Sequence, residues 1–135
     1  MKIVLDTNVL ISGVFFGGIP AWILDQWARN QFMVYATPSI MGEYVRVMDE
    51  AAESPPHQLL SLKWKAMLPE VCHLIPDERR PKRISRDRSD DKFIFCAINS
   101  SADFLVTGDR DLTTLPAEYS FKIVFPRQFV NFLKE

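Results

Sequence analysis

Four carboxylates stand where chemistry could be done: Asp6, Glu43, Asp90 and Asp109. Asp6 follows the apolar run Ile3-Val4-Leu5, and Asp109 follows Leu105-Val106-Thr107-Gly108. Short branched apolar runs predict buried strands of a parallel sheet. In such sheets ligands bind in the crevice outside the carboxyl ends of the strands. Asp90 opens a predicted helix that feeds the run ending at Asp109. A helix antiparallel to the strands starts near their carboxyl ends, so Asp90 is expected at the same edge. Glu43 lies one turn after Ile40 and one before Val47, on a core-facing stripe. A carboxylate there is costly unless it is paired or coordinates a cation.

Four carboxylates with no obligatory basic partner in their motifs repel at close range, and one or more resists ionising. A hard divalent cation relieves that repulsion. Mg²⁺ takes oxygen ligands, keeps several waters and typically uses one or two carboxylates plus substrate phosphates. Such a site suits hydrolysis of phosphate esters by an activated water. Each acid also has a plainer reading. Asp6 could cap the helix starting near Thr7, and Asp109 or Asp111 the turn after the strand. Asp90 could complement a helix dipole. Glu43 could sit at the edge of its stripe, reaching solvent or pairing with an arginine. Asp103 begins its strand, roughly 17 Å before the crevice, and reads as structural.

The elements that must position these acids follow from periodicity and turn residues. Strands are predicted at Ile3–Leu5, Phe32–Ala36, Val71–Ile75, Phe104–Thr107 and Phe121–Phe125. Helices are predicted from Thr7 to Phe16, Ala21 to Asn30, Pro38 to about Glu53, Gln58 to Leu68, Asp90 to Asn99, and Pro126 to the end. Gly17-Gly18 and Ser54-Pro55-Pro56 interrupt the helical pattern. Thr37 and Ser89 are the expected N-caps, and Pro20 and Pro38 suit first turns. The alternation implies a single-domain, three-layer α/β fold spanning residues 1–135, with a five-stranded parallel sheet flanked by helices and right-handed crossovers.

Composition bounds the function classes. A chain of 135 residues with 47% hydrophobic residues supports one sizeable core, which excludes a disordered chain. No apolar run approaches the ~20 residues that span a bilayer, and no secretory signal is visible. Cys72 and Cys96 share no metal-ligand spacing and read as buried free thiols. These features together lead us to expect a cytoplasmic protein. Net charge is -1, so the overall balance favours no partner. Its distribution is uneven: Arg79, Arg80, Lys82, Arg83, Arg86, Arg88 and Lys92 are seven of the sixteen basic residues. The run reads either as a solvated loop or, leading into Asp90, as a contact for a nucleic-acid backbone through Arg83, Arg86, Arg88 and Lys92.

The motifs Leu5-Asp6-Thr7-Asn8, Pro38-Ser39-Ile40-Met41-Gly42-Glu43, Asp87-Arg88-Ser89-Asp90-Asp91-Lys92-Phe93 and Val106-Thr107-Gly108-Asp109-Arg110-Asp111-Leu112 occur in this order. Together they resemble the PIN-domain nucleases, among them the VapC-like toxins of toxin–antitoxin pairs. The resemblance implies a Mg²⁺- or Mn²⁺-dependent ribonuclease whose acidic quartet is Asp6, Glu43, Asp90 and Asp109. Asp111 matches a frequently acidic fifth position. Thr7, Asn8 and Thr107 match polar positions near the site that orient ligands or phosphate. Asp91 is the second choice to Asp90, because it lies about 100° further around the helix. The resemblance also implies an RNA substrate, a homodimer or higher homo-oligomer, and an antitoxin protein as inhibitor.

Other readings fit less well. A haloacid-dehalogenase-like phosphatase needs a second Asp where Asn8 stands. A receiver domain needs paired early acids and a lysine at the end of strand five, whereas Lys122 lies inside that strand. A non-catalytic RNA-binding or regulatory module remains the alternative to the enzyme. Finally, Phe15, Phe16, Ile19, Trp22 and Trp27 gather around Gly17-Gly18. They read as core or as an apolar patch for self-association or a partner helix.

Overall fold

The chain alternates strand and helix, and the strands assemble into one parallel sheet of order β3-β2-β1-β4-β5. This is a computed structural model, and it describes residues 1–78, 90–115 and 119–135. The strands are β1 (Lys2–Leu5), β2 (Met33–Ala36), β3 (His73–Leu74), β4 (Phe104–Val106) and β5 (Lys122–Val124). The helices are α1 (Thr7–Phe15), α2 (Gly18–Ala28), α3 (Pro38–Ala51), α4 (Pro55–Val71), α5 (Asp91–Asn99), α6 (Arg110–Thr113) and α7 (Pro126–Lys134). The five-stranded parallel sheet flanked by helices agrees with the sequence reading.

β1 is the central strand, and the three residues Ile3, Val4 and Leu5 are fully buried. That explains why they form an unbroken apolar run rather than an alternating one. The chain builds outward from β1 through β2 to β3, then returns to the other side of β1 to lay down β4 and β5. The strand order therefore reverses between β1 and β4. In open α/β sheets that reversal opens a crevice at the carboxyl ends of the strands, where ligands bind.

Local chemistry fixes the helix starts. Thr37 caps α3 by accepting from the Ile40 amide at 3.3 Å, with Pro38 in the first turn. Ser54 caps α4 the same way through the His57 amide. Pro55 and Pro56 consequently open α4 rather than merely ending α3, and α4 starts three residues before the predicted Gln58. It also runs to Val71, past Pro69. That leaves a two-residue β3 whose residues are both exposed, much shorter than the predicted Val71–Ile75. The chain turns by 94° between α1 and α2 through Gly17 and Gly18, both at positive φ (81° and 69°), which favours glycine. Gly13 permits the close approach of those helices: a Cβ there would lie 2.6 Å from Leu24 Cδ1 and 2.9 Å from the Pro20 carbonyl oxygen.

The core is continuous over the sheet. α7 contributes Phe129, whose ring packs edge-on against Phe32 and Phe104. Tyr44 and Phe93 are the largest fully buried side chains on α3 and α5. Most of the aromatic group around Gly17-Gly18 is core: Phe15 and Trp27 are buried, and Ile19 and Trp22 pack against the core. Phe16 alone of the five projects outward, 71% exposed. Among the described residues, no single helix is long and apolar enough to cross a membrane.

Candidate active site

Asp6 continues the β1–β4 ladder by one residue. Its amide donates to the Val106 carbonyl at 2.9 Å, which carries Asp6 into the crevice beside Thr107. Its own carbonyl accepts from the amides of Val9 and Leu10, so its backbone opens α1. The side chain makes no cap. It turns instead to the Thr107 hydroxyl, which donates to Asp6 Oδ2 at 2.6 Å. The capping alternative therefore describes the Asp6 backbone and leaves the carboxylate for the crevice. Asp6 is 6% exposed. Burial is the main force holding its carboxyl above the ordinary range, the Thr107 hydrogen bond opposes it, and the charges of Glu43 and Asp109 add to the rise.

Thr107 is fully buried and ties two of the acids together. While donating to Asp6, its hydroxyl accepts from the Asp109 amide at 3.0 Å. Asp109 in turn caps α6, accepting from the Asp111 amide at 2.8 Å. For Asp109 the capping role is thus present alongside its place in the crevice. Asp103 lies at the opposite end of the sheet, where its carboxylate accepts from the Lys2 amide at 2.9 Å. Its structural reading fits that contact.

Glu43 reaches the crevice from α3. The fully buried stripe of that helix is Ile40, Tyr44 and Met48, spaced four apart. Val47 packs against the core as expected, whereas Glu43 flanks the stripe, which corrects the expectation that it lies on it. The Thr7 hydroxyl donates to Glu43 Oε2, and Lys92 Nζ lies 2.7 Å from Glu43 Oε1. The pairing alternative for Glu43 is present, with lysine in place of arginine. Beside it the Tyr44 hydroxyl donates to the Leu5 carbonyl at 2.5 Å, which fastens α3 to the last residue of β1. Nothing in the periodicity singled out Tyr44 for that role.

Asp90 and Asp91 occupy the start of α5. Asp90 is the N-cap residue, with helical backbone angles, and is half-buried. Asp91, the first helical residue, is only 4% exposed. It lies three residues before Ile94, itself fully buried. The inward side chain at this helix start is thus Asp91 at least as much as Asp90, contrary to the helical-wheel expectation. Asn8 is exposed at the first turn of α1. Lys92 faces Glu43, with the Phe93 ring 5.2 Å from its ammonium, rather than standing out from the surface. Arg83, Arg86 and Arg88, together with Asp87 and the expected cap Ser89, lie outside the described residues.

The donor set at this edge is entirely oxygen: carboxylates from β1, α3, α5 and the β4–α6 turn, with the hydroxyls of Thr7 and Thr107 between them. That set suits Mg²⁺ or Mn²⁺ and does not suit a soft metal. The charges of Glu43 and Asp109 raise the Asp6 carboxyl, and a divalent cation bound there would offset that repulsion. Among the described residues, no three carboxyl groups are drawn together tightly enough to hold an ion by protein ligands alone. Mg²⁺ does not require that, since it commonly keeps most of its waters.

A family model of the PIN domain matches residues 2–111, and the chain belongs to that family. Among curated proteins, the chain is similar to the uncharacterized protein MJ1680 of Methanocaldococcus jannaschii, 30% identical over 142 residues, covering 97% of this chain and 90% of that protein. Among solved structures, the fold is similar to that in the crystal structure of VapBC2 from Rickettsia felis bound to a DNA fragment from their promoter. The TM-score is 0.62 at 15% identity, over 93% of this chain and 98% of that one.

Proposed function

We propose that this protein is a Mg²⁺- or Mn²⁺-dependent endoribonuclease and the toxin of a type II toxin–antitoxin pair. The observation that carries the reading is the buried Asp6 carboxylate. It stands at the strand-order reversal, is held by Thr107, and lies within the field of Glu43 and Asp109. A carboxylate raised by desolvation and by specific neighbouring charges in a crevice is a functional-site candidate. The family membership supports a hydrolase acting on nucleic acid.

In this reading Asp6, Glu43, Asp109 and the acids opening α5, Asp90 and Asp91, hold the cation directly or through its waters, with Asp111 adjacent. When bound, Mg²⁺ or Mn²⁺ lowers the pKa of water and offsets charge on the leaving oxygen. Thr107 orients the Asp6 carboxylate and fixes the turn that carries Asp109. Thr7 orients Glu43. Asn8, exposed beside them, is free to meet a phosphate. Arg83, Arg86 and Arg88 supply salt-dependent affinity for an RNA backbone without choosing its sequence. An antitoxin protein covering the crevice and a homo-oligomeric assembly, supported by the likeness to the VapBC2 structure, complete the proposal together with a cytoplasmic site of action.

The test is cleavage of end-labelled single-stranded RNA by the purified protein with Mg²⁺, with Mn²⁺ and with chelator, using Asp6→Asn against contaminating nuclease. Metal-dependent cutting that the variant lacks is expected. A second reading, an RNA-binding module without turnover, is favoured by one observation: Glu43 already carries an internal counter-ion in Lys92. RNA binding without cutting of any substrate would select it.

A further inference from the structure

Lys92 occupies an unusual position for a lysine. It is the second residue of α5, where the helix dipole is positive and disfavours a cation. Its side chain is only 20% exposed, and lysine is seldom so covered unless paired. Its ammonium lies 2.7 Å from Glu43 Oε1, and Glu43 is itself only 19% exposed. The other oxygen of Glu43 accepts from Thr7. The ammonium lies over the Phe93 ring, 5.2 Å from its centroid. By contrast, the ion pairs Arg29–Asp25 and Arg46–Glu50 are both more than half exposed on their own helices. The Lys92–Glu43 pair joins two separate elements, α5 and α3, at the crevice, where a cation is most useful.

We propose that Lys92 is a built-in counter-ion that holds Glu43 in the metal-free protein and sets the affinity of the crevice for a divalent cation. This rests on the metal-site reading above and deepens it. A cation that takes Glu43 as a ligand must displace the ammonium, or bind beside it against its repulsion. Either way, the ion pair is a cost that metal binding meets. The displaced ammonium stays at the start of α5, next to Asp90 and Asp91. Lys92 is thus a positioning residue acting through Glu43. A local arrangement that opposes the helix dipole is the kind of departure expected at a functional site.

The experiment is titration calorimetry of the full chain with MnCl₂ and with MgCl₂, on wild type, Lys92→Met, Lys92→Arg and Lys65→Met. Lys65 pairs with Asp49 away from the crevice and controls for loss of one positive charge. The expected result is a dissociation constant at least about tenfold lower for Lys92→Met, with the arginine variant and the Lys65 variant close to wild type. Binding by Lys92→Met alone, with none by wild type, also supports the proposal. Equal or weaker binding by Lys92→Met, where wild type binds, overturns the role of Lys92 and leaves the metal site standing. An equal gain in Lys65→Met overturns it too, because the effect is then one of overall charge. No binding by any of the four overturns both this proposal and the metal site itself. Circular dichroism of each variant excludes unfolding as the source of a lost signal, and Lys92→Gln replaces Lys92→Met if the latter does not fold.

Discussion

The Thr107 hydroxyl donates to Asp6 Oδ2 at 2.6 Å while accepting from the Asp109 amide at 3.0 Å, so one buried side chain sets both the first acid and the last. Thr107 and Asp6 are 101 positions apart in sequence and adjacent just past the ends of β4 and β1. Thr107→Val keeps the shape and removes the hydroxyl. It leaves a buried carboxylate and a backbone amide each short of a partner. The expected cost is about 2–4 kcal/mol of stability at neutral pH, with nuclease activity falling further than folding accounts for. Urea unfolding alongside the RNA cleavage assay checks both.

Asp6→Asn separates the acid's chemistry from its packing. In metal-free protein the carboxyl is held above its ordinary value of 3.8 chiefly by burial, so its charged form opposes folding. A carboxyl with a raised folded pKa binds its proton more tightly when folded. Its penalty is therefore full at neutral pH, shrinks as pH falls through the folded pKa, and is gone below the unfolded one. The asparagine variant is expected to be about 0.5–2 kcal/mol more stable than wild type at pH 7, inactive, and progressively less favoured as pH drops towards 4. Denaturation with chelator at several pH values tests this. A variant much less stable than wild type at pH 7 would mean that Asp6 serves the fold rather than the site.

Divalent metal is expected to stabilise the folded chain. A ligand at 100 times its dissociation constant adds about 2.7 kcal/mol, which for a domain of this size raises Tm on the order of 10 °C. Thermal scans with Mg²⁺, Mn²⁺ and chelator read this directly. Asp6→Asn and Glu43→Gln are expected to reduce the shift. An unchanged Tm at millimolar metal speaks against a cation site.

Gly13→Ala tests the packing that places α1. The new methyl would meet Leu24 Cδ1 and the Pro20 carbonyl oxygen inside contact distance. Leucine can swing away, but the backbone oxygen cannot. The expected loss is about 1–3 kcal/mol, seen as a lower urea midpoint. Activity per folded molecule is expected to persist, because α1 still begins at Asp6.

Sequence alone determined the scaffold of the site. Apolar runs ending at Leu5 and Val106 identify the strands, and Asp6 and Asp109 follow them by chain position alone. Short unbroken apolar runs and helical spacing are local properties, which is why both acids and the parallel sheet are legible. Ser54-Pro55-Pro56 ends one helical pattern, and a serine before two prolines also starts the next helix. Lys92 belongs to the basic run by composition, yet a lysine in the first turn of a helix goes against the dipole and signals an inward partner, here Glu43. Only the tertiary structure decided which side chains meet. Periodicity gave Glu43 a place on a core stripe, whereas packing gave that stripe to Tyr44 and set Glu43 at its edge against Thr7 and Lys92. Likewise packing decides that Asp91 is the more buried of the two acids at the start of α5, with Asp90 half-buried beside it. These contacts join β1 to β4 and α3 to α5 across long stretches of chain. Their geometry comes from how the elements pack, and no local pattern encodes that.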